Sequence, residues 1–322
     1  MKKILVTLVT IALAVSALAG CGAKSEGTSL KVGSLKGPTT IGIVKLMEDS
    51  ANQKTSNEYA FEMATGADEL LPKMISGELD IALVPANVAA VLYNKTQGQV
   101  VVLDINTLGV LYAVSGDGSI QSVSDLSGKT ILLTGKGTTP DYVTQYLLSA
   151  NGLSDQDLTI EYKSEATEVA ATLKENPDCV GILPQPFVTA ACIQNEALSV
   201  VLDLTAEWNK VNEGSGSMLV TGVTVARKEL VEKNEKAVKS FMEEHKASAE
   251  YVNANAPEAA SLVVAQGIIE KEPIAAKAIP NCNITYMDGN DMKSALMGYL
   301  QVLYDMDPST VGGKLPDENF YY

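Results

Sequence analysis

Two short stretches of this sequence carry the groups with which a protein holds a small polar molecule: hydroxyls, free amide N–H groups and an ammonium. The first is Gly33-Ser34-Leu35-Lys36-Gly37-Pro38-Thr39-Thr40, and the second is Gly135-Lys136-Gly137-Thr138-Thr139-Pro140. In each, an apolar strand-like run leads into glycines and then into a proline in the first helical turn, where a missing N–H costs nothing. Ligands of open α/β sheets bind outside the carboxyl ends of strands, and helix N-termini present unpaired N–H groups there. Ser34, Lys36, Thr39 and Thr40 are therefore candidate contacts in the first turn. Lys136, Gly137, Thr138 and Thr139 are their counterparts in the second, with Tyr142 one helical turn further on. The competing reading is ordinary turn stabilisation and helix capping, with Lys36 a solvated surface lysine. The second turn is not a nucleotide-binding P-loop, because the G-K-[ST] ending and its spacing are missing.

Other chemistries fail on residue type. His245 is the only histidine, and Glu243-Glu244-His245-Lys246 reads as the solvated face of a charged helix. Serine-hydrolase and histidine acid–base schemes therefore lack a base. No C-x-x-C is present, so no metal site is expected, and no cofactor motif appears. The carboxylate pairs Asp68-Glu69 and Glu243-Glu244 fall in helical patterns with nothing to make them converge, so glycoside hydrolysis has no support. Arg227 is the only arginine, which removes the bidentate guanidinium clamp as a recognition device. A formal net charge of −15 argues against nucleic acid and against an anionic membrane face as partners.

The elements that must position the two turns alternate. Apolar runs predict strands at 30–35, 57–65, 81–85, 100–106, 108–116, 130–135, 158–163, 180–184, 198–204, 218–227 and 283–287. Helical spacing is read at 38–51, 67–79, 86–96, 139–151, 165–176 and 186–195. From 229 the chain turns helical, with a long charged helix over 229–255, shorter ones at 257–268 and 272–280, and a last one at 290–305. That rhythm predicts an α/β protein with mostly parallel sheets covered by helices. At 322 residues, 46% hydrophobic and 20% charged, the chain is long enough for two folded units. Trp208 reads as a buried structural residue, with a lid over a ligand ring as the alternative, and Tyr59, Tyr93, Tyr112 and Tyr142 fall in the same class. Cys179, Cys192 and Cys282 follow Cys21; pairing of Cys179 with Cys192 stays open.

Residues 1–20 have the make-up of an export signal: Lys2 and Lys3, an apolar run from Ile4 to Ala19, and small residues near its end. A transmembrane anchor is the alternative, although the run falls short of the ~20 residues that a spanning helix needs. Leu18-Ala19-Gly20-Cys21 resembles a bacterial lipobox, which implies cleavage before Cys21, lipidation of that cysteine and a small, polar tether over 21–29.

Several longer runs resemble the solute-binding lipoproteins of bacterial ABC importers, in particular the nitrate/sulfonate/taurine-type group. They are the opening strand–turn–helix, Leu79-Asp80-Ile81-Ala82-Leu83-Val84-Pro85-Ala86-Asn87, Ser124 to Ile131 with the second turn, Gly181-Ile182-Leu183-Pro184-Gln185-Pro186-Phe187, and Gly313 to Tyr321. The resemblance implies a two-lobed type II periplasmic-binding-protein fold, each lobe a mostly parallel sheet flanked by helices, with two hinge crossings. Lobe I would comprise 30–108 and 221–322, and lobe II 109–220. It further implies one small molecule trapped between lobes that close by a hinge, a monomer, delivery to a permease driven by a cytoplasmic ATPase, and anchorage to the outer face of the cell membrane through Cys21. Asn87, Gln185 and Pro186 join the candidate contacts on this basis, Asn87 with a capping role as its rival. Relatives often place an acidic or aromatic residue near Gln185, so the neutral amide here argues against an ammonium-bearing ligand. Composition then points to a small neutral or weakly anionic solute: a sulfonate, an aminopyrimidine-like compound or another small heterocycle. An enzyme built on the same bilobal fold, or a surface lipoprotein with no transport role, is the alternative.

Overall fold

The computed structural model describes residues 27–215 and 217–322. The expected signal sequence, the lipobox-like run and Cys21 lie outside them. The strands fall on the apolar runs: β1 (Ser29–Leu35), β2 (Glu58–Ala64), β3 (Ile81–Pro85), β4 (Val100–Leu108), β5 (Leu111–Ser115), β6 (Thr130–Leu133), β7 (Thr159–Tyr162), β8 (Val180–Pro184), β9 (Ser199–Asp203), β10 (Val220–Arg227) and β11 (Ile284–Met287). They build two sheets, ordered β11-β4-β10-β3-β1-β2 and β7-β6-β8-β5-β9. In the first, β1 pairs parallel with β2 and β3, while β10 runs antiparallel between β3 and β4. In the second, β6 pairs parallel with β7 and β8, and β5 runs antiparallel to β8 and β9. β4 and β10, neighbours in the first sheet, are the strands from which the chain leaves for the second sheet and to which it returns.

The helices before the tail are α1 (Pro38–Ile41), α2 (Val44–Ala51), α3 (Ala67–Ser76), α4 (Ala86–Lys95), α5 (Thr139–Ala150), α6 (Ala166–Glu175), α7 (Phe187–Gln194) and α8 (Leu204–Val211). The tail adds α9 (Lys228–Lys233), α10 (Glu235–Ala254), α11 (Ala256–Ala265), α12 (Glu272–Ala278) and α13 (Gly289–Met306). Three differences from the sequence reading have local causes. The single helix expected over 38–51 is split at Gly42 and Ile43. There the Ser248 hydroxyl donates to the Gly42 carbonyl at 2.8 Å and accepts from Leu46 N at 3.1 Å, replacing the bond that would have continued the helix. The helix expected over 229–255 breaks at Asn234, whose backbone leaves the helical region (φ −136°, ψ 44°). The unanticipated α8 starts at Asp203, whose carboxylate accepts from Thr205 N and Ala206 N and so supplies a cap.

His245 is the largest correction. It is fully buried, not solvated, on an apolar stripe of α10 formed by Val238, Phe241, His245, Ser248, Ala249 and Val252. Trp208 is likewise buried, as the structural reading expects. Cys179, Cys192 and Cys282 are free thiols.

Candidate functional site

Four helices follow strands that end side by side in two bonded pairs. α1 follows β1 and α4 follows β3, and β1 and β3 are bonded neighbours; α5 follows β6 and α7 follows β8, also bonded neighbours. The sequence-predicted contacts occupy these four strand ends, as the strand-end rule requires.

At the first, the hydroxyls turn inward. Thr39 Oγ1 donates to the Leu35 carbonyl at 2.9 Å. Thr40 Oγ1 lies 2.5 Å from the same carbonyl and 2.7 Å from Ser34 Oγ. A hydroxyl has one proton and a carbonyl can only accept, so Thr40 donates to Leu35 and receives the Ser34 proton. Ser34, Thr39 and Thr40 are all buried, whereas Lys36 is exposed. Gly222 of β10 passes directly over this turn: a Cβ there would meet Asn106 Oδ1 at 2.5 Å and Thr39 Cγ2 at 2.8 Å.

The second and third strand ends meet. Asn87, 1% exposed, donates from Nδ2 to the Thr310 carbonyl at 3.3 Å, and its Oδ1 faces Thr139 Oγ1 at 3.5 Å, the outer limit of a hydrogen bond. This contact joins the first-sheet unit to the second. It brings Thr139 to Asn87.

The rest of the second turn is organised by a residue absent from the sequence-derived set. Asp141 is 3% exposed and accepts from Gly137 N at 2.7 Å, Gln145 Nε2 at 2.6 Å and the Tyr162 hydroxyl at 2.7 Å. Gly137 sits at φ 75°, a left-handed conformation that favours glycine and that aims its N–H at this carboxylate. Thr138 Oγ1 returns its proton to the Gly135 carbonyl at 2.6 Å. Lys136 Nζ lies 5.1 Å from the centre of the Tyr162 ring. Tyr142 is half-buried; burial, then the charges of Asp141 and Asp307, raise its pKa above the ordinary phenol value. The signal for Asp141 was present: an Asp in the first turn of a helix serves the N–H groups gathered there.

The fourth strand end faces a groove between the two sheet units. Gln185, 4% exposed, accepts through Oε1 from the Thr189 hydroxyl at 2.8 Å. With Tyr112 and Thr189 it lines a groove of about 390 Å³ whose far wall is Lys277 and Asn281 of the first-sheet unit. Pro186 precedes α7 and is joined to Gln185 by a cis peptide. Gln185 thus faces α12 across this groove.

Residues 46–242 match the family described as the periplasmic substrate-binding protein of phosphonate ABC transporters. The chain belongs to that family. It is the extracytoplasmic substrate-binding component of an ABC importer, which binds a small molecule and delivers it to the permease, and not an enzyme. Among solved structures, this substrate-binding protein is similar to an ABC transporter protein from Parabacteroides distasonis (TM-score 0.76, 24% identity, 92% of this chain and 99% of that one). It is also similar to the periplasmic aliphatic sulphonate binding protein SsuA from Escherichia coli (TM-score 0.73, 14% identity, 92% of each chain). The periplasmic nitrate-binding protein NrtA from Synechocystis matches at a TM-score of 0.59 and 14% identity, over 83% of this chain and 75% of that one. No curated protein sequence matches the chain. These likenesses establish the type II binding-protein fold.

In this substrate-binding protein an aromatic seam joins the two units beside Thr139. Tyr146 of α5 and Tyr299 of α13 flank Trp208 of α8, with ring centres 4.8 Å and 5.5 Å away. Trp208 Nε1, buried, finds no hydrogen-bond partner among the described residues, and the buried Tyr299 hydroxyl has Thr139 as its polar neighbour. Below the strand ends, a buried polar chain braces β4 against β10. Thr224 Oγ1 donates to Asp104 Oδ1 at 2.7 Å, Asn106 Nδ2 to Thr224 Oγ1 at 3.1 Å, and Thr107 Oγ1 to Asn106 Oδ1 at 2.9 Å. His245 Nδ1 lies 3.3 Å from Asp104 Oδ2.

Proposed function

We propose that this importer component captures a small solute between two lobes, the first-sheet unit (30–108 and 221–322) and the second-sheet unit (109–220), and that the strand ends at Ser34–Thr40, Asn87 and Lys136–Tyr142 form the jaws. The observation that carries this reading is the Asn87–Thr139 approach, because it sets a side chain from each unit face to face at the carboxyl ends of β3 and β6. Gln185 and Pro186 border the mouth of the same interface. Binding energy comes from hydrogen bonds and apolar enclosure once closure excludes water. The protein works as a monomer, held at the outer face of the cell membrane by lipid on Cys21.

The test is calorimetric titration with the solute carried through purification, identified by mass spectrometry. Asn87→Ala and Thr139→Ala each weaken its binding at least tenfold with little loss of thermal stability. Unchanged affinity in both variants overturns the placement. Radiolabelled palmitate incorporated in cells, and lost in Cys21→Ala, tests the anchor; light scattering after gel filtration tests the monomer.

A further inference from the structure

The tail of the first unit grips the outgoing crossing one residue beyond the end of β4. Asn283, the residue before β11, accepts from Leu108 N through its carbonyl at 3.1 Å, and its Nδ2 donates to the Gly109 carbonyl. The next carbonyl along, that of Val110, accepts from Gln185 N at 3.1 Å and so already belongs to the second unit. The passage between units is thus confined to the Gly109–Val110 link, and the Asn283 side chain holds the carbonyl at its centre. The return crossing lies alongside: Val220 pairs with Leu108, and the register slips at Thr221. A Cβ on Gly109 would meet Thr205 Oγ1 of α8 at 2.2 Å and Leu219 Cδ2 at 2.9 Å, so the crossing has room for glycine and nothing larger. Two features mark the Asn283 contact as more than turn stabilisation. Asn283 sits at φ 43°, a left-handed conformation that costs a non-glycine residue energy. The residue is also exposed, so its amide can exchange Gly109 for water at small cost, which a reversible contact needs and a buried one lacks. Beside it, the Tyr112 hydroxyl of β5 reaches the Asn281 carbonyl at 3.5 Å, so residues 281–283 meet the second unit at two places.

We propose that Asn283 is a positioning residue for solute capture. Its amide, bonded to Gly109, latches the hinge in the arrangement that brings Asn87 to Thr139, and release of that bond lets the lobes part. This goes beyond the two-lobe reading above and rests on it. A hydrogen bond that competes with water biases a two-state equilibrium about two- to tenfold, enough to set how long the lobes stay shut without locking them.

The experiment measures acrylamide quenching of Trp208, the chain's single tryptophan, in the solute-free chain. Parting of the lobes takes Tyr299 of the first unit away from Trp208 and admits the quencher. Small-angle scattering of the same samples reads the radius of gyration. Asn283→Gly keeps the left-handed backbone and its bond to Leu108 N and deletes the amide. It is expected to raise quenching twofold or more and to enlarge the radius of gyration, with the urea midpoint unchanged. Thr139→Arg drives a bulky side chain into the contact between the lobes and opens them independently of the hinge. Wild-type quenching and radius in Asn283→Gly, with both raised in Thr139→Arg, overturn the latch and leave the moving lobes in place. Wild-type values in both variants overturn the lobe motion, and the latch with it. A rise in Asn283→Gly that comes with a lower urea midpoint makes Asn283 a structural turn residue and overturns the latch as well.

Discussion

Asp104 carries its carboxylate into a fully buried layer, and its tolerance there rests on two donors, the Thr224 hydroxyl and the His245 ring. Removing the carboxylate strands both, and a buried polar group that loses its partner costs its whole desolvation penalty. Asp104→Ala is expected to lower unfolding free energy by about 3 kcal/mol or more in urea melts, the scale of a broken buried pair. The exposed Glu250→Ala should stay within about 0.5 kcal/mol. Equal losses in the two would mean that the chain from Asp104 to Thr107 braces nothing. His245 also shows where residue-level reading fails. Its immediate neighbours Glu243, Glu244 and Lys246 suggest a wet face, but Glu243 and Lys246 are exposed while His245 lies on the buried stripe that it shares with Phe241 and Ser248. Reading at three-to-four spacing, and not along the chain, recovers its burial. Asp141 was legible by a similar route, as the carboxylate in the first turn of a helix behind two glycines. The proton directions of Thr39, Thr40 and Thr138 were not legible, because they depend on carbonyls whose positions only the folded turn fixes.

At the scale of elements, strands were almost fully legible because each apolar run is bounded by glycine, asparagine or charge. The helix breaks at Gly42 and Asn234 were harder, since the first is made by Ser248, which lies 206 residues away from the carbonyl it bonds. The close passage of β10 over the first turn is also a tertiary fact. Gly222→Ala places a methyl group 2.5 Å from Asn106 Oδ1 and 2.8 Å from Thr39 Cγ2, so one of them must move. The expected cost is about 1–3 kcal/mol, with solute affinity falling beyond what the stability change explains. Wild-type affinity in Gly222→Ala would separate β10 from the site. The carboxyl-terminal segment makes a pH prediction. Tyr93 of α4 donates to Asp317 at 2.6 Å, and burial, then this bond, push its phenol up to about 12. A raised folded pKa contributes stability that is complete below the ordinary phenol value and is lost as pH rises through about 12. Tyr93→Phe should therefore remove one late-ionising phenol from the ultraviolet titration and flatten the alkaline loss of stability. Loss instead of a phenol that ionises near the ordinary value would mean that the Asp317 contact is not made in solution.

The molecule as a whole is two sheets that share a core. The largest apolar cluster runs without interruption from Val84, Ala86 and Tyr299 to Ile131, Val143 and Trp208, so it draws on both units. On the proposed reading, closure buries apolar area as well as the polar jaws, and the two units should lose structure together. Urea unfolding monitored by Trp208 emission, which reports the seam, and by far-ultraviolet dichroism, which reports both sheets, is expected to give coincident midpoints in the solute-bound protein. Solute present at a hundredfold excess over its dissociation constant should raise the unfolding free energy by about 2.7 kcal/mol, moving both probes equally. The linkage discriminates between sites. A ligand held by both lobes stabilises the shared core, so both probes shift, whereas a ligand held by one lobe alone leaves the Trp208 transition trailing or leading. Separated midpoints that persist at saturating solute would overturn closure as the basis of binding, because the seam would then open while the solute stayed in place.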